Sequence, residues 1–222
     1  MVTVAGVDDA GRGCVIGPLI IAGVLIDDDR IHELSVVGVR DSKRLTPRRR
    51  EVLATEVESI ASNCAYFELK PRTIDLVVER NKKLKKLNYL EAMAMARVIR
   101  DLRADHVYVD PSDVVPERFA EQIFKVLPNK PKIICEHHAD DKYPVVSAAS
   151  ILAKVRRDRI VADLRRVHGD FGSGYCNDER TISFLDAWFG ATDCCPPFIR
   201  GSWATVKRIR TLRGVTGRTG GD

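Results

Sequence analysis

Val4-Ala5-Gly6-Val7-Asp8-Asp9-Ala10-Gly11-Arg12-Gly13 is the stretch on which the reading of this chain turns. A short apolar run ends in two adjacent carboxylates, and a Gly-Arg-Gly loop follows at once. The run predicts a buried strand, and the carboxyl ends of strands are where open α/β sheets place their sites. Two carboxylates at such an end repel each other unless a cation sits between them. The glycines beyond them let a backbone come close to a ligand. Cation, bare backbone and arginine together point to a phosphate-bearing substrate. A strand followed by a solvated acidic turn would explain the same stretch without any chemistry. Successive residues of a regular strand point to opposite faces, so Asp8 and Asp9 are expected to share a site only if the strand breaks there. Gly11 and Gly13 make such a break plausible.

Composition bounds the answer from outside. A chain of 222 residues with 45% hydrophobic residues can bury a sizeable core, as one large domain or one domain with a small appendage. No apolar stretch is long enough to span a bilayer, and the start lacks the order of a signal peptide. A cytoplasmic protein with no membrane partner is therefore expected. Lys and Arg number 36 against 31 acidic residues, a net charge of +5 that is compatible with a nucleic-acid partner without requiring one. The cysteines (Cys14, Cys64, Cys135, Cys176, Cys194 and Cys195) form no CxxC pair, which fits a reducing compartment. His137 and His138 lie near Cys135 but complete no zinc pattern.

Strand and helix signals alternate along the chain. Residues 15–26 read as a second strand, with Gly17-Pro18 inside it, and Asp27-Asp28-Asp29 as a polar turn. Thr46 as cap and Pro47 in the first turn predict a helix to about residue 61. A strand is expected over 65–69. Leu87, Leu90, Met93, Met95, Val98, Ile99 and Leu102 recur at close to helical spacing within 86–103. A short strand over 106–109, a helix over 116–126 and a strand over 131–135 follow. Helices are expected over 145–167, 179–188 and 202–212, and the tail from Gly214 is expected to fray. The pattern is α/β with one main sheet and a helical C-terminal extension.

Three separate segments bring acids to strand ends or helix starts. Asp8 and Asp9 end the first strand, Asp110 follows Val107-Tyr108-Val109, and Asp140 and Asp141 follow Ile133-Ile134-Cys135 ahead of a long helix. Each has a bland explanation: Asp140 favours the positive end of a helix, and Asp110 stabilises the turn at Pro111. Gathered in one place, hard oxygen ligands of this kind suit Mg²⁺ or Mn²⁺ rather than zinc.

From Gly6 to about Trp203 the chain resembles ribonuclease HII, more its archaeal than its bacterial branch. The shared stretches are Gly6 to Gly13 with Gly17-Pro18-Leu19, Asp41-Ser42-Lys43-Arg44-Leu45, Val107-Tyr108-Val109-Asp110, Ala139 to Ile151 with Ala153-Lys154-Val155, and Gly172-Ser173-Gly174-Tyr175. The resemblance implies a ribonuclease H-like fold: a mixed central sheet flanked by helices, with a catalytic domain over 1–170, a helical substrate-binding extension over 171–213 and a flexible tail over 214–222. It implies an endoribonuclease that cuts the RNA strand of RNA–DNA hybrids and incises 5′ of single ribonucleotides embedded in duplex DNA, leaving 3′-hydroxyl and 5′-phosphate ends. By the same resemblance Asp8, Asp9, Asp110 and Asp140 hold two divalent ions, Mg²⁺ or Mn²⁺. One activates water and the other neutralises the departing 3′-oxygen. Gly11, Arg12 and Gly13 read the 2′-hydroxyl, the group that separates RNA from DNA. Tyr175 stacks on the sugar of the following deoxynucleotide, and Lys43 lies near the phosphates. Arg200, Lys207, Arg208 and Arg210 are expected to contact the nucleic-acid backbone or to form a solvated helix face. A monomer is expected, and the tail carries no clear sliding-clamp motif.

The chain departs from the family pattern at four places. Asp9 stands where glutamate is usual, which implies retained but altered activity and a stronger preference for Mn²⁺. Asp141 stands where a small residue is usual, either as an extra acid or facing solvent. Cys14 and Cys176 stand where proline is common, which is expected to loosen both substrate-reading loops. Two alternatives compete. The sister enzyme ribonuclease HIII shares the acids but lacks the Gly-Arg-Gly loop, so Arg12 argues against it. A non-catalytic hybrid-binding protein is the other, through the change at Asp9.

Overall fold

The N-terminal apolar run forms β1 (Thr3–Ala10), and it lies in the middle of a five-stranded sheet. The structure is a computed structural model, and it describes residues 1–39, 45–80 and 87–214. β2 (Leu19–Asp27) pairs antiparallel with β1, and β3 (Asn63–Leu69) pairs antiparallel with β2. On the other side β4 (His106–Val109) runs parallel to β1, and β5 (Lys132–Cys135) runs parallel to β4. The order β3-β2-β1-β4-β5 makes the sheet mixed, as expected.

Alternation along β1 explains the two layers. Val4 and Ala10 pack on one face with α1 (Ile31–Val37), α2 (Pro47–Ile60) and α7 (Pro144–His168). Ala5 and Val7 pack on the other with α3 (Pro71–Val78), α4 (Leu87–Leu102) and α5 (Pro116–Val126). A strand buried on both faces reads as a continuous apolar run, which is what this stretch shows. α7 passes very close to β1: a Cβ at Gly6 would lie 2.3 Å from the Val145 carbonyl. A third apolar cluster joins Val15, Ile16 and Val161 to α8 (Glu179–Ala191) and α9 (Ala204–Leu212). Among the described residues, no helix is long and apolar enough to cross a membrane.

Thr46 caps α2 as expected, its hydroxyl accepting from the Arg49 N–H at 3.3 Å, with Pro47 in the first turn. The second strand is shorter than expected, because residues 15–18 are not part of it. Gly17 adopts φ +93°, and the amides of Val15 and Ile16 both donate to the Gly174 carbonyl, at 2.8 and 3.1 Å. That segment is thus tied to the C-terminal half instead of to β1. The short helices α1 and α3 were not expected. The tail from residue 215 and Lys43 lie outside the described residues.

Candidate active site

Register places the acids. Val7 on β1 lies opposite Val109 on the parallel strand β4, and the Asp110 N–H donates to the Val7 carbonyl at 3.3 Å. Asp8 and Asp110 therefore leave neighbouring strands at the same level, roughly 4.8 Å apart in backbone. The chain leaves β5 with the Glu136 N–H donating to the Val109 carbonyl at 3.2 Å, turns through His138 at φ 60°, and enters the four-residue helix α6 (Ala139–Lys142). That turn carries buried Asp140 to the side of Asp110. Burial, and after it the charge of Asp140, pushes the Asp110 carboxyl up to about 6. Burial pushes Asp8 further, to about 7, with Asp110 adding to the rise. The Ser150 hydroxyl, the Asp9 N–H at 2.7 Å and the Lys154 ammonium act against it. Ser150 and Lys154 are one turn apart on α7 and joined by a 2.8 Å hydrogen bond.

Asp9 is on the other face. The expected break in β1 is absent: pairing with β2 continues through Asp8↔Ala22, Asp9↔Ile21 and Ala10↔Ile20. Alternation therefore turns Asp8 toward α7 and Asp9 toward α4, where Glu91 is fully buried. Burial holds the Asp9 carboxyl well above the usual range, Glu91 and Asp8 raise it further, and Arg12 opposes them. Asp141 faces solvent at the surface, with a carboxylate oxygen 4.0 Å from the His138 ring.

Two buried arginines hold the loops here from inside, Arg200 the Gly11–Gly13 loop and Arg157 the Ser173–Tyr175 loop. Arg200 has no exposed surface; its Nη2 donates to the Gly11 carbonyl (2.7 Å), its Nη1 to the Arg12 carbonyl (2.8 Å) and its Nε to the Gly17 carbonyl (3.1 Å). The expected phosphate contact from Arg200 is thereby ruled out: its guanidinium is spent on backbone. Arg157 on α7 places its guanidinium over the Tyr175 ring at 4.7 Å and donates to the Ser173 carbonyl at 2.6 Å. Gly11 has φ +89°, and a Cβ there would meet the Pro18 carbonyl oxygen at 2.7 Å, so only glycine fits. Cys14 is buried, and its thiol donates to the Gly11 carbonyl at 2.9 Å. With the carbonyls turned inward, the N–H groups of Arg12 and Gly13 have no acceptor among the described residues, and Gly13 is exposed. Tyr175 bridges to Cys14, so its loop and the Gly11–Gly13 loop form one surface. Of the other C-terminal cations, Lys207 pairs with Glu79 at 3.3 Å, and Arg210 lies over the Phe189 ring at 5.6 Å.

Sequence reasoning missed Glu91 and Arg157, and it named Arg200 for a different role. Glu91 is a helix carboxylate among apolar neighbours, and that is the one signal which could have marked it as buried. Hard oxygen donors held above their usual pKa by burial and by one another lack positive charge, and a divalent cation supplies it. The buried Oε1 of Glu91, which has no hydrogen-bond donor among the described residues, fits the same deficit on the Asp9 side. Among the described residues no group of three or more acidic, histidine or cysteine side chains is placed to hold a metal ion.

A family model described as Ribonuclease HII matches residues 5–206. Ribonuclease HII of Pyrococcus abyssi is 42% identical over 206 residues, covering 93% of this chain and 90% of that one. The crystal structure of ribonuclease H2 from Pyrococcus horikoshii superposes with a TM-score of 0.88 at 42% identity, covering 96% of this chain and 99% of that one. The RNase HII in the PCNA:RNase HII complex from Archaeoglobus fulgidus superposes at 0.83 with 40% identity, covering 93% and 96%.

Proposed function

This chain belongs to the ribonuclease HII family, endonucleases that hydrolyse the RNA strand of RNA–DNA hybrids, and from that premise we propose that it also incises DNA 5′ of single embedded ribonucleotides. Asp8, Asp9, Asp110 and Asp140 are the proposed ligands for two divalent cations, Mg²⁺ or Mn²⁺; β1 does not break, and Asp9 is included because its carboxyl at the strand end still feels the charge of Asp8. When bound, the cations supply an activated water and charge neutralisation at the leaving 3′-oxygen. The observation that supports this most is the level placement of Asp8 and Asp110 on the parallel pair β1/β4, with Asp140 beside Asp110 and all three buried or half-buried.

The chain's own residues do the rest. From α7, Ser150 and Lys154 hold the Asp8 carboxylate toward its charged form. The unpartnered N–H groups of Arg12 and Gly13 suit the 2′-hydroxyl and the phosphate next to it, which have lone pairs to offer. Tyr175, on the same surface, suits the flat face of the next sugar. Arg157 limits the ring's movement by stacking on it. The C-terminal segment from 171 to 213 closes the site from behind through Arg200 and supplies Tyr175 in front.

The test is incubation with a DNA duplex carrying one ribonucleotide, with and without Mg²⁺ or Mn²⁺, followed by end analysis. Cation-dependent scission on the 5′ side of the ribonucleotide, leaving 3′-hydroxyl and 5′-phosphate ends, is the expected result. Cleavage of a uniform hybrid but not of this duplex would remove the proposal and leave the family activity standing.

A further inference from the structure

Arg12 is at the centre of the loop assigned to the 2′-hydroxyl, yet its side chain turns back into the protein. Its Nε donates to Glu91 Oε2 at 2.9 Å and its Nη2 to Asn88 Oδ1 at 2.6 Å. Asn88 and Glu91 are three residues apart on α4, so they meet the loop from one side of the helix. Asn88 is held in turn, its Nδ2 donating to buried Asp113 Oδ2 at 3.3 Å. Asp113 also accepts the Val115 N–H at 3.0 Å and the Arg118 guanidinium. Glu91 is completely buried, a position a carboxylate keeps only with a charged partner. The loop is thus gripped twice: Arg200 takes its carbonyls, and α4 takes the one long side chain it has.

We infer that Asn88 and Glu91 are positioning residues for substrate discrimination, acting through Arg12 to fix where the loop amides lie. The inference rests on the loop's role as reader of the 2′-hydroxyl. A uniform hybrid offers a hydroxyl at every register, so a displaced loop still finds one. A duplex with a single ribonucleotide offers one register, and a displaced loop misses it. Loss of the grip from α4 therefore lowers cleavage of the second substrate more than the first.

The experiment measures kcat/KM on both substrates for the wild type, Asn88→Ala, Arg12→Ala and the double variant. Asn88 is half-buried, and its side-chain hydrogen bonds among the described residues go to Arg12 and Asp113. The ratio of the two activities does not depend on how much of a variant is folded. Asn88→Ala is expected to shift that ratio against the single ribonucleotide by about tenfold, the scale of one hydrogen bond to a charged group. In the Arg12→Ala background the same change should shift it no further, because its route to the loop is gone. Glu91→Ala should act in the same direction, and Glu91→Gln, which keeps an acceptor for Arg12 Nε, should recover most of the ratio. An unchanged ratio in Asn88→Ala, or an equal shift in both backgrounds, overturns the inference and leaves the loop's role intact. A wild type that spares the single-ribonucleotide duplex overturns the loop's role and the inference with it.

Discussion

Asp9 is one methylene shorter than the glutamate of the ribonuclease HII pattern, and it sits on the face of β1 away from Asp8. A shorter carboxylate on that face reaches less far around the strand end. Asp9→Glu should therefore raise the rate in Mg²⁺ by several-fold and narrow the Mn²⁺ to Mg²⁺ ratio, measured as initial rates on a uniform hybrid. No change in either ion would separate Asp9 from cation binding. The raised carboxyls give a second prediction. In the metal-free protein, folded Asp8 and Asp110 hold protons up to about 7 and about 6, whereas their ordinary value is 3.8. Between those limits the folded state binds more protons than the unfolded chain, so their contribution to stability falls as pH rises from about 4 to about 7. Asp110→Asn removes part of that penalty. It should stabilise the metal-free protein by about 1 kcal/mol at pH 8, allowing for partial exposure, and by nothing at pH 4. Adding Mn²⁺ should stabilise the wild type and not the variant, as read by thermal melts.

Elements differ in how plainly their residues announce them. Thr46-Pro47 announces α2 because a cap and an N-terminal proline act locally, within one turn. Thr46→Ala should lower stability by about 1 kcal/mol in denaturant unfolding. α3 also opens on a proline, Pro71, but is only eight residues long, too short for an apolar period to show. β2 was overestimated because Val15 and Ile16 are as apolar as a strand. Their partners are Gly174 and the C-terminal cluster, which no local pattern reveals. Asp8, Asp9 and Asp110 were legible because they follow short apolar runs at strand ends, and Asp140 because it opens the short helix after β5. Arg200 was named, but its buried role was not legible, because a basic residue in a basic C-terminal stretch reads as a phosphate contact or as solvated. Its partners are carbonyls far away at Gly11, Arg12 and Gly17. The contact of α7 with β1 is set by Gly6, where a Cβ would overlap backbone that cannot yield. Gly6→Ala should cost about 3 kcal/mol and lower the melting temperature by roughly 10 °C.

At the scale of the whole molecule, the sheet order and the net charge act together. Placing β1 at the centre, parallel to β4 and antiparallel to β2, brings Asp8 and Asp110 from distant stretches of sequence to the same end of two neighbouring interior strands. The net charge of +5 offsets the local acidity and favours a polyanionic substrate at long range. KM for the hybrid should therefore rise steeply with salt, with a log–log slope of about 0.9 per phosphate contacted. Asp8, Asp9, Asp110 and Asp140 are proposed to hold the cations that carry out hydrolysis. Anomalous diffraction from crystals containing Mn²⁺ and an uncleavable duplex tests it most directly. Two anomalous peaks at the strand ends, coordinated by those four carboxylates and the scissile phosphate, are predicted. Peaks bound elsewhere, or none within coordination distance of Asp8 and Asp110, would rule out these carboxylates as the cation site.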